Sequence, residues 1–150
     1  MAHSYTNLLY HIVFATKGRQ NWLDKAIRPD LFAYLGQVIG DEGGISLLVN
    51  GTSDHVHLLV KLQPDRSVSG VLSNLKSRSS GWIHRERPDL AHFAWQTGYG
   101  AFSVGQSQVP RVRRYIQNQE THHKKIPYVE EFRSLLRKSG FAAADEFFWE

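Results

Sequence analysis

The stretch ISLLVNGTSDHVHLLVKL, residues 45–62, decides the fold. Two apolar, β-rich runs flank Asn50-Gly51, a dipeptide that tolerates the positive φ of tight turns. The segment therefore reads as two antiparallel strands around that pair, with a somewhat longer loop. The second strand opens on two histidines, His55 and His57, one residue apart. Alternate residues of a strand share a face, so the two imidazoles project together, about 6.6 Å apart along the chain, while Val56, Leu58 and Val60 face the other way.

The remaining elements follow outward from this hairpin. LLYHIVFAT (8–16) is short, β-branched and aromatic, the pattern of a buried strand. RPDLFAYLGQVIGDEGG (28–44) places Leu31, Leu35, Val38 and Ile39 at helical spacing, with Pro29 in the first turn and Gly43-Gly44 at the end. SVSGVLSNLKSRSSGWIHRERP (67–88) sets Val68, Val71, Leu72 and Leu75 on one helical face and stops at Pro88. LAHFAWQTG reads as a loop and YGAFSVGQS (99–107) as a fourth strand. The order β-α-β-β-α-β predicts an α+β, ferredoxin-like domain, one antiparallel sheet covered by two helices. Two further helices are expected, one over 109–125 and one over about 128–139. The final FAAADEFFWE is aromatic enough to pack on the domain or on a partner subunit. Gly36, Gly40 and Gly70 fall inside helices, where close packing would explain them.

The chain has 150 residues and reads as one domain, 1–150, with 41% hydrophobic and 21% charged residues, an ordinary globular balance. The absence of cysteine excludes disulfides, thiolate chemistry and cysteine-ligated zinc. No apolar run reaches membrane-spanning length and no leader pattern is present, so the protein is read as cytoplasmic and not membrane-bound. The formal net charge of +4 favours polyanionic partners. Its sources cluster: Arg111, Arg113, Arg114, Lys124 and Lys125 in one segment, Lys76, Arg78, Arg85 and Arg87 in another.

Two imidazoles on one strand face can chelate a divalent ion, although a bare HxH pair is also what two ordinary strand-end histidines look like. In the 109–125 helix Tyr115 and Gln119 are four residues apart and share a face, with Val112 and Ile116 turned inward. Gln119 can supply a neutral oxygen and Tyr115 a hydroxyl to the same site. Such an ion would polarise a phosphodiester, Tyr115 could attack the phosphorus, and the flanking arginines could hold the backbone. Arg111, Arg113, Arg114, Lys76 and Arg78 are the candidate backbone contacts, followed by Lys17 and Arg19. His122 and His123 could approach the metal or contact DNA, but read first as surface histidines, and no general base for Tyr115 is evident.

DHVHLLV after a hairpin and YIQNQETHH on a late helix resemble the two signature motifs of single-tyrosine HUH transposases, small insertion-sequence enzymes that move DNA as single strands. ATKGR after the first strand and GYGAFSVGQS at the fourth also resemble family segments, so the likeness runs over nearly the whole chain. It implies His55 and His57 as the histidine pair, Tyr115 as nucleophile, Gln119 as third metal ligand, and magnesium or manganese as the ion. It also implies a homodimer in which the tyrosine helix can complete the other subunit's site, and cleavage beside DNA hairpins that leaves a 5′-phosphotyrosine. A domesticated relative acting on dispersed chromosomal palindromes would look the same. Two readings compete. A non-catalytic RNA-recognition module shares the element order, but its aromatic signature belongs on the third strand, and here it falls on the fourth. A hydrolase with zinc or iron held by His55, His57 and His122 or Asp54 leaves Tyr115 and Gln119 without a role.

Overall fold

The computed structural model describes residues 3–141. Strands β1 (Leu8–Ala15), β2 (Ile45–Gly51), β3 (His55–Leu62) and β4 (Gly100–Val104) form one antiparallel sheet in the order β2-β3-β1-β4. Helices α1 (Arg28–Asp41) and α2 (Val68–Glu86) are the crossovers, so the expected ferredoxin-like arrangement is present. α1 ends where Gly43 takes a positive φ of 82°, a conformation that glycine adopts without strain. α2 begins at Ser67, whose side chain accepts from the Gly70 amide.

The sheet is buried on both faces, which is why its central strands are so apolar. On one face Ile12, Phe14, Val56, Leu58 and Val60 pack against Leu31, Leu35, Leu72 and Leu75 of the crossover helices. The other face is covered by the chain after β4: α3 (Val109–Gln117), α4 (Gln119–His123) and α5 (Tyr128–Lys138). There Leu9 and Leu59 meet Val109 and Ile116, and Val13 and Ala15 meet Tyr128 and Phe132. An RNA-recognition module uses this face to stack bases; here helices occupy it.

Three elements differ from the sequence expectation. Asn50 and Gly51 belong to β2, and the turn is made by Thr52, Ser53 and Asp54. Gly51 is required because a Cβ there would run into the His55 carbonyl. The single helix expected over 109–125 breaks at Asn118 (φ −96°, ψ 17°) into α3 and α4. Asn50 Nδ2 crosses from the sheet to donate to the Ile116 carbonyl at 2.8 Å and the Gln117 carbonyl at 3.3 Å, satisfying acceptors at that break. The helical glycines also divide: Gly36 packs against Ser46, whereas nothing lies within 4 Å of a Cβ at Gly40. The LAHFAWQTG loop buries Phe93 and Trp95, and Trp95 bridges to Thr16 at the end of β1. Residues 142–150, where terminal packing was expected, lie outside the described residues.

Candidate active site

The site forms where β1 and β3 present alternate residues to α3–α5. Ala15 pairs with His55 and Val13 with His57, so both histidines point from the middle of the sheet, each 0% exposed. Asp54 and Thr52 in the preceding turn stand behind the first ring. The His55 Nδ1–H donates to Asp54 Oδ1 at 2.8 Å, and Thr52 Oγ1 donates to the same oxygen at 3.1 Å. Asp54, the alternative ligand of the hydrolase reading, thus orients His55 and leaves Nε2 facing the site. His57 is held by a residue the sequence reading passed over: its Nδ1 lies 2.7 Å from His11 Nε2, and the two rings stack at 5.0 Å.

Tyr115, Gln119 and Glu131 close the site from the other side. The bulge in β2 at Leu47 offers its carbonyl to Arg113 at 2.8 Å, which with Asn50 fixes α3 against the sheet edge. Tyr115 then sits with its ring 5.8 Å from that of His57. The break after α3 turns Gln119 fully inward, its Oε1 3.1 Å from His55 Nε2. Glu131, from the first turn of α5, is 2% exposed and lies at the centre. Its Oε1 accepts from His57 at 3.0 Å and from His123 at 2.9 Å, and lies 3.4 Å from His55 Nε2. Its Oε2 accepts from the Gln119 amide at 3.0 Å and from the Tyr115 hydroxyl.

Glu131 was missed, yet the sequence carries a signal for it. Tyr128, Phe132, Leu135 and Leu136 mark the buried face of α5, and Glu131 is the charged residue on that stripe. His123 is corrected from surface residue to site residue, its ring 4.4 Å from that of His55. His122 packs its ring 5.5 Å from Tyr115, with Nε2 3.3 Å from Glu131 Oε2 but without hydrogen-bond geometry.

Burial and one carboxylate set the protonation states. Burial lowers His55, but Asp54 and Glu131 outweigh it and raise the group to about 9. Burial dominates at His57, which falls to about 4 against the pull of Glu131. Burial and the neighbouring His57 take His11 to about 3. Glu131 resists its own burial because His123, His55 and His57 surround it, and stays well below the usual carboxylate range. Tyr115 moves up, through burial first and then the adjacent Glu131, so its phenol is held neutral.

The donor set fits a small divalent cation. Ligand atoms of His55, His57, His123 and Glu131 lie within 4.8 Å of one another, and the Gln119 oxygen faces the same space. Two ligands each about 2.1 Å from one ion are separated by about 3.0–3.4 Å, which matches the separations above. Imidazole nitrogens together with carboxylate and amide oxygens make a mixed nitrogen and oxygen donor set for such an ion.

The basic residues are less concentrated at the site than expected. Arg111 and Arg114 are exposed on α3 and Lys17 is exposed beside β1. Arg19 is in the same turn, held at a positive φ of 54°. Lys76, by contrast, is committed to the carbonyls of Gln96 (2.8 Å) and Gly98 (2.6 Å), and burial lowers it to about 8. Arg78 pairs with Asp41 at 2.9 Å on the opposite side of the sheet.

The profile of the family described as "Transposase IS200 like" matches residues 4–119, most of the chain. The chain belongs to that family. It is therefore a DNA-processing enzyme of the transposase class. It is 29% identical over 138 residues to the transposase of insertion sequence element IS200 from Salmonella typhimurium, an alignment covering 85% of this chain and 90% of that one. The ISDra2 transposase TnpA of Deinococcus radiodurans is 23% identical over 117 residues, covering 75% and 84%. A crystal structure from Deinococcus radiodurans R1, described as a transposase, superposes with a TM-score of 0.65 at 25% identity, over 79% of this chain and 96% of that one. A REP-associated tyrosine transposase, solved bound to a REP hairpin, shares the fold with a TM-score of 0.61 at 14% identity, covering 95% and 88%. No helix among the described residues is long and apolar enough to cross a membrane.

Proposed function

We propose that this transposase cleaves and rejoins single-stranded DNA through Tyr115. The phenolic oxygen attacks the phosphorus, the bond to the 3′ oxygen of the preceding nucleotide breaks, and the products are a 5′-phosphotyrosine and a free 3′-hydroxyl. The covalent link conserves the energy of the broken ester, so the reverse attack rejoins strands without a nucleotide cofactor. The observation that carries this reading is the hydrogen bond of the Tyr115 hydroxyl to Glu131, the carboxylate that also meets His55, His57 and Gln119 within a single chain.

His55, His57 and Gln119 would hold magnesium or manganese. When bound, that ion polarises the phosphodiester and stabilises charge developing on its oxygens. The chain itself supplies orientation: Asp54 and His11 fix the imidazoles, and Asn50 and Arg113 fix the tyrosine helix. The Tyr115 hydroxyl donates to Glu131, which orients the phenol toward the cluster, and the phenol's proton ends on the released 3′ oxygen. Arg111, Arg114, Lys17 and Arg19 are the backbone contacts this reading favours. Arg113, Lys76 and Arg78 hold the fold as well, so their contribution to DNA binding is smaller. The working unit is a homodimer, and exchange of the tyrosine helix between subunits would rebuild the same site in trans. The hairpin bound by the structural relative motivates hairpin-flanked single strands as substrate.

The test is incubation of the protein with end-labelled single-stranded hairpin oligonucleotides, with and without Mn²⁺, followed by denaturing electrophoresis. The expected result is an ion-dependent protein–DNA band, absent in Tyr115→Phe, which still folds and binds DNA. Cleavage by Tyr115→Phe at the wild-type rate would refute the covalent route.

A further inference from the structure

The carboxylate at the centre of the site has no role in the family signature of paired histidines, tyrosine and glutamine, and Glu131 lies beyond residues 4–119 that match the family profile. From its geometry we infer that Glu131 is the anionic ligand of the site's divalent ion, and that its second oxygen holds the Tyr115 hydroxyl, so that a single side chain ties the ion to the nucleophile. This rests on the proposed ion-dependent tyrosine chemistry and extends it to a helix the family profile does not reach.

The two oxygens of Glu131 divide their partners. Oε1 faces the two ring nitrogens that would ligate, at 3.0 Å from His57 Nε2 and 3.4 Å from His55 Nε2. Oε2 faces the Tyr115 hydroxyl and the Gln119 amide nitrogen. No other carboxylate lies in the candidate metal cluster among the described residues. Two imidazoles and an amide oxygen bring no charge, so without Glu131 the nearest negative charge to a buried ion would be Asp54, on the far side of the His55 ring. Magnesium and manganese also prefer carboxylate oxygen, which makes Glu131 a better donor than the adjacent His123.

The arrangement depends on α5 holding its place. Phe132, 1% exposed beside Glu131, packs on Val13, Ala15 and Tyr128, and Tyr128 in turn covers the His55 ring at 4.5 Å. The helix that supplies the carboxylate thus also roofs the histidine pair. A chain cut after Gln119 would keep every signature residue and lose the negative charge.

Two measurements on the full chain, without DNA, test this. Mn²⁺ affinity by calorimetry should fall about tenfold or more in Glu131→Gln, which is isosteric and uncharged, with circular dichroism showing the fold intact. His123→Gln should weaken binding less. The second measurement does not depend on that variant folding: Mn²⁺ titrated into wild type should perturb the ultraviolet spectrum of the Tyr115 phenol, and the change should shrink in Tyr115→Phe to what Tyr128 over His55 contributes. Wild-type affinity in Glu131→Gln would overturn the inference, as would an identical difference spectrum in Tyr115→Phe. If Glu131→Gln forms the DNA adduct with wild-type ion dependence, the assignment of Glu131 fails while the tyrosine chemistry stands. If wild type binds Mn²⁺ as described and never forms an adduct, the reverse holds.

Discussion

Gly100→Ala should loosen the site from a distance. Gly100 lies on β4 beneath α5, and a Cβ there would stand 2.8 Å from Phe132 Cε2 and 3.0 Å from both Phe132 Cζ and Phe102 Cε2. Phe132 is 1% exposed, so its ring has little room to turn and the clash is expected to push on α5. Overpacking of this kind costs about 1–3 kcal/mol. For a chain of this length each kcal/mol shifts the melting temperature by about 2–4 °C, so Tm should drop by about 2–12 °C. Because Glu131 precedes Phe132, lifting α5 also draws the carboxylate from the histidines, and Mn²⁺ affinity should fall with stability. Gly40→Ala is the control. It sits in the last turn of α1 with nothing within 4 Å, and removing a helical glycine there should stabilise by about 0.5–1 kcal/mol without changing ion affinity. Calorimetric melts and Mn²⁺ titrations of both variants check this. A Gly100→Ala protein with wild-type Tm and affinity would show that Phe132 does not anchor α5 and that the roof over the site is misassigned.

Asn50→Ala removes the donor from the Ile116 and Gln117 carbonyls at the helix break. It should lower stability by about 1–2 kcal/mol in urea titrations and reduce strand cleavage more than DNA binding; equal losses of both would argue against a role in placing Tyr115. Without metal, stability should peak near pH 6.5, followed by denaturant titration in chelator. The folded-state values of His57 (about 4) and His11 (about 3) lie below the ordinary 6.5. The unfolded chain therefore binds more protons as pH falls from 6.5 toward 4, and stability declines. His55, raised to about 9, holds its proton more tightly when folded, so stability declines again as pH rises from 6.5 toward 8, where the lowered Lys76 begins to oppose it. A profile flat across this range would contradict the assigned states.

The parts of the fold legible in the sequence were those set by local periodicity. The continuous apolar run of 8–16, the alternation of His55 and His57 with Val56 and Leu58, and helical spacing through Leu31–Ile39 and Val68–Leu75 report burial directly, because each residue's face follows from its neighbours. The site was half legible for the same reason: His55 and His57 share a strand face whatever surrounds them. The helix break at Asn118 was not legible, because the Ile116 carbonyl beside it is satisfied by Asn50, 66 residues from Ile116. That contact also explains why Asn50-Gly51, a turn signal by composition, stays within a strand. Lys76 looked like a phosphate contact because charge patterning cannot show that carbonyls of a distant loop turn toward its ammonium. Glu131 and His11 were visible only as polar residues on apolar stripes, a signal that marks a buried polar group without naming its partner.

Everything proposed for the site converges on one bond. Protein incubated with Mn²⁺ and a cleavable hairpin substrate can be digested first with nuclease and then with trypsin. Trypsin cuts after Arg114 and Lys124, releasing residues 115–124. Mass spectrometry should find that peptide carrying a nucleotide through a phosphodiester at Tyr115, with a 3′-hydroxyl on the released DNA fragment. Cleaved DNA with an unmodified 115–124 peptide, or a nucleotide on any other residue, would contradict the account.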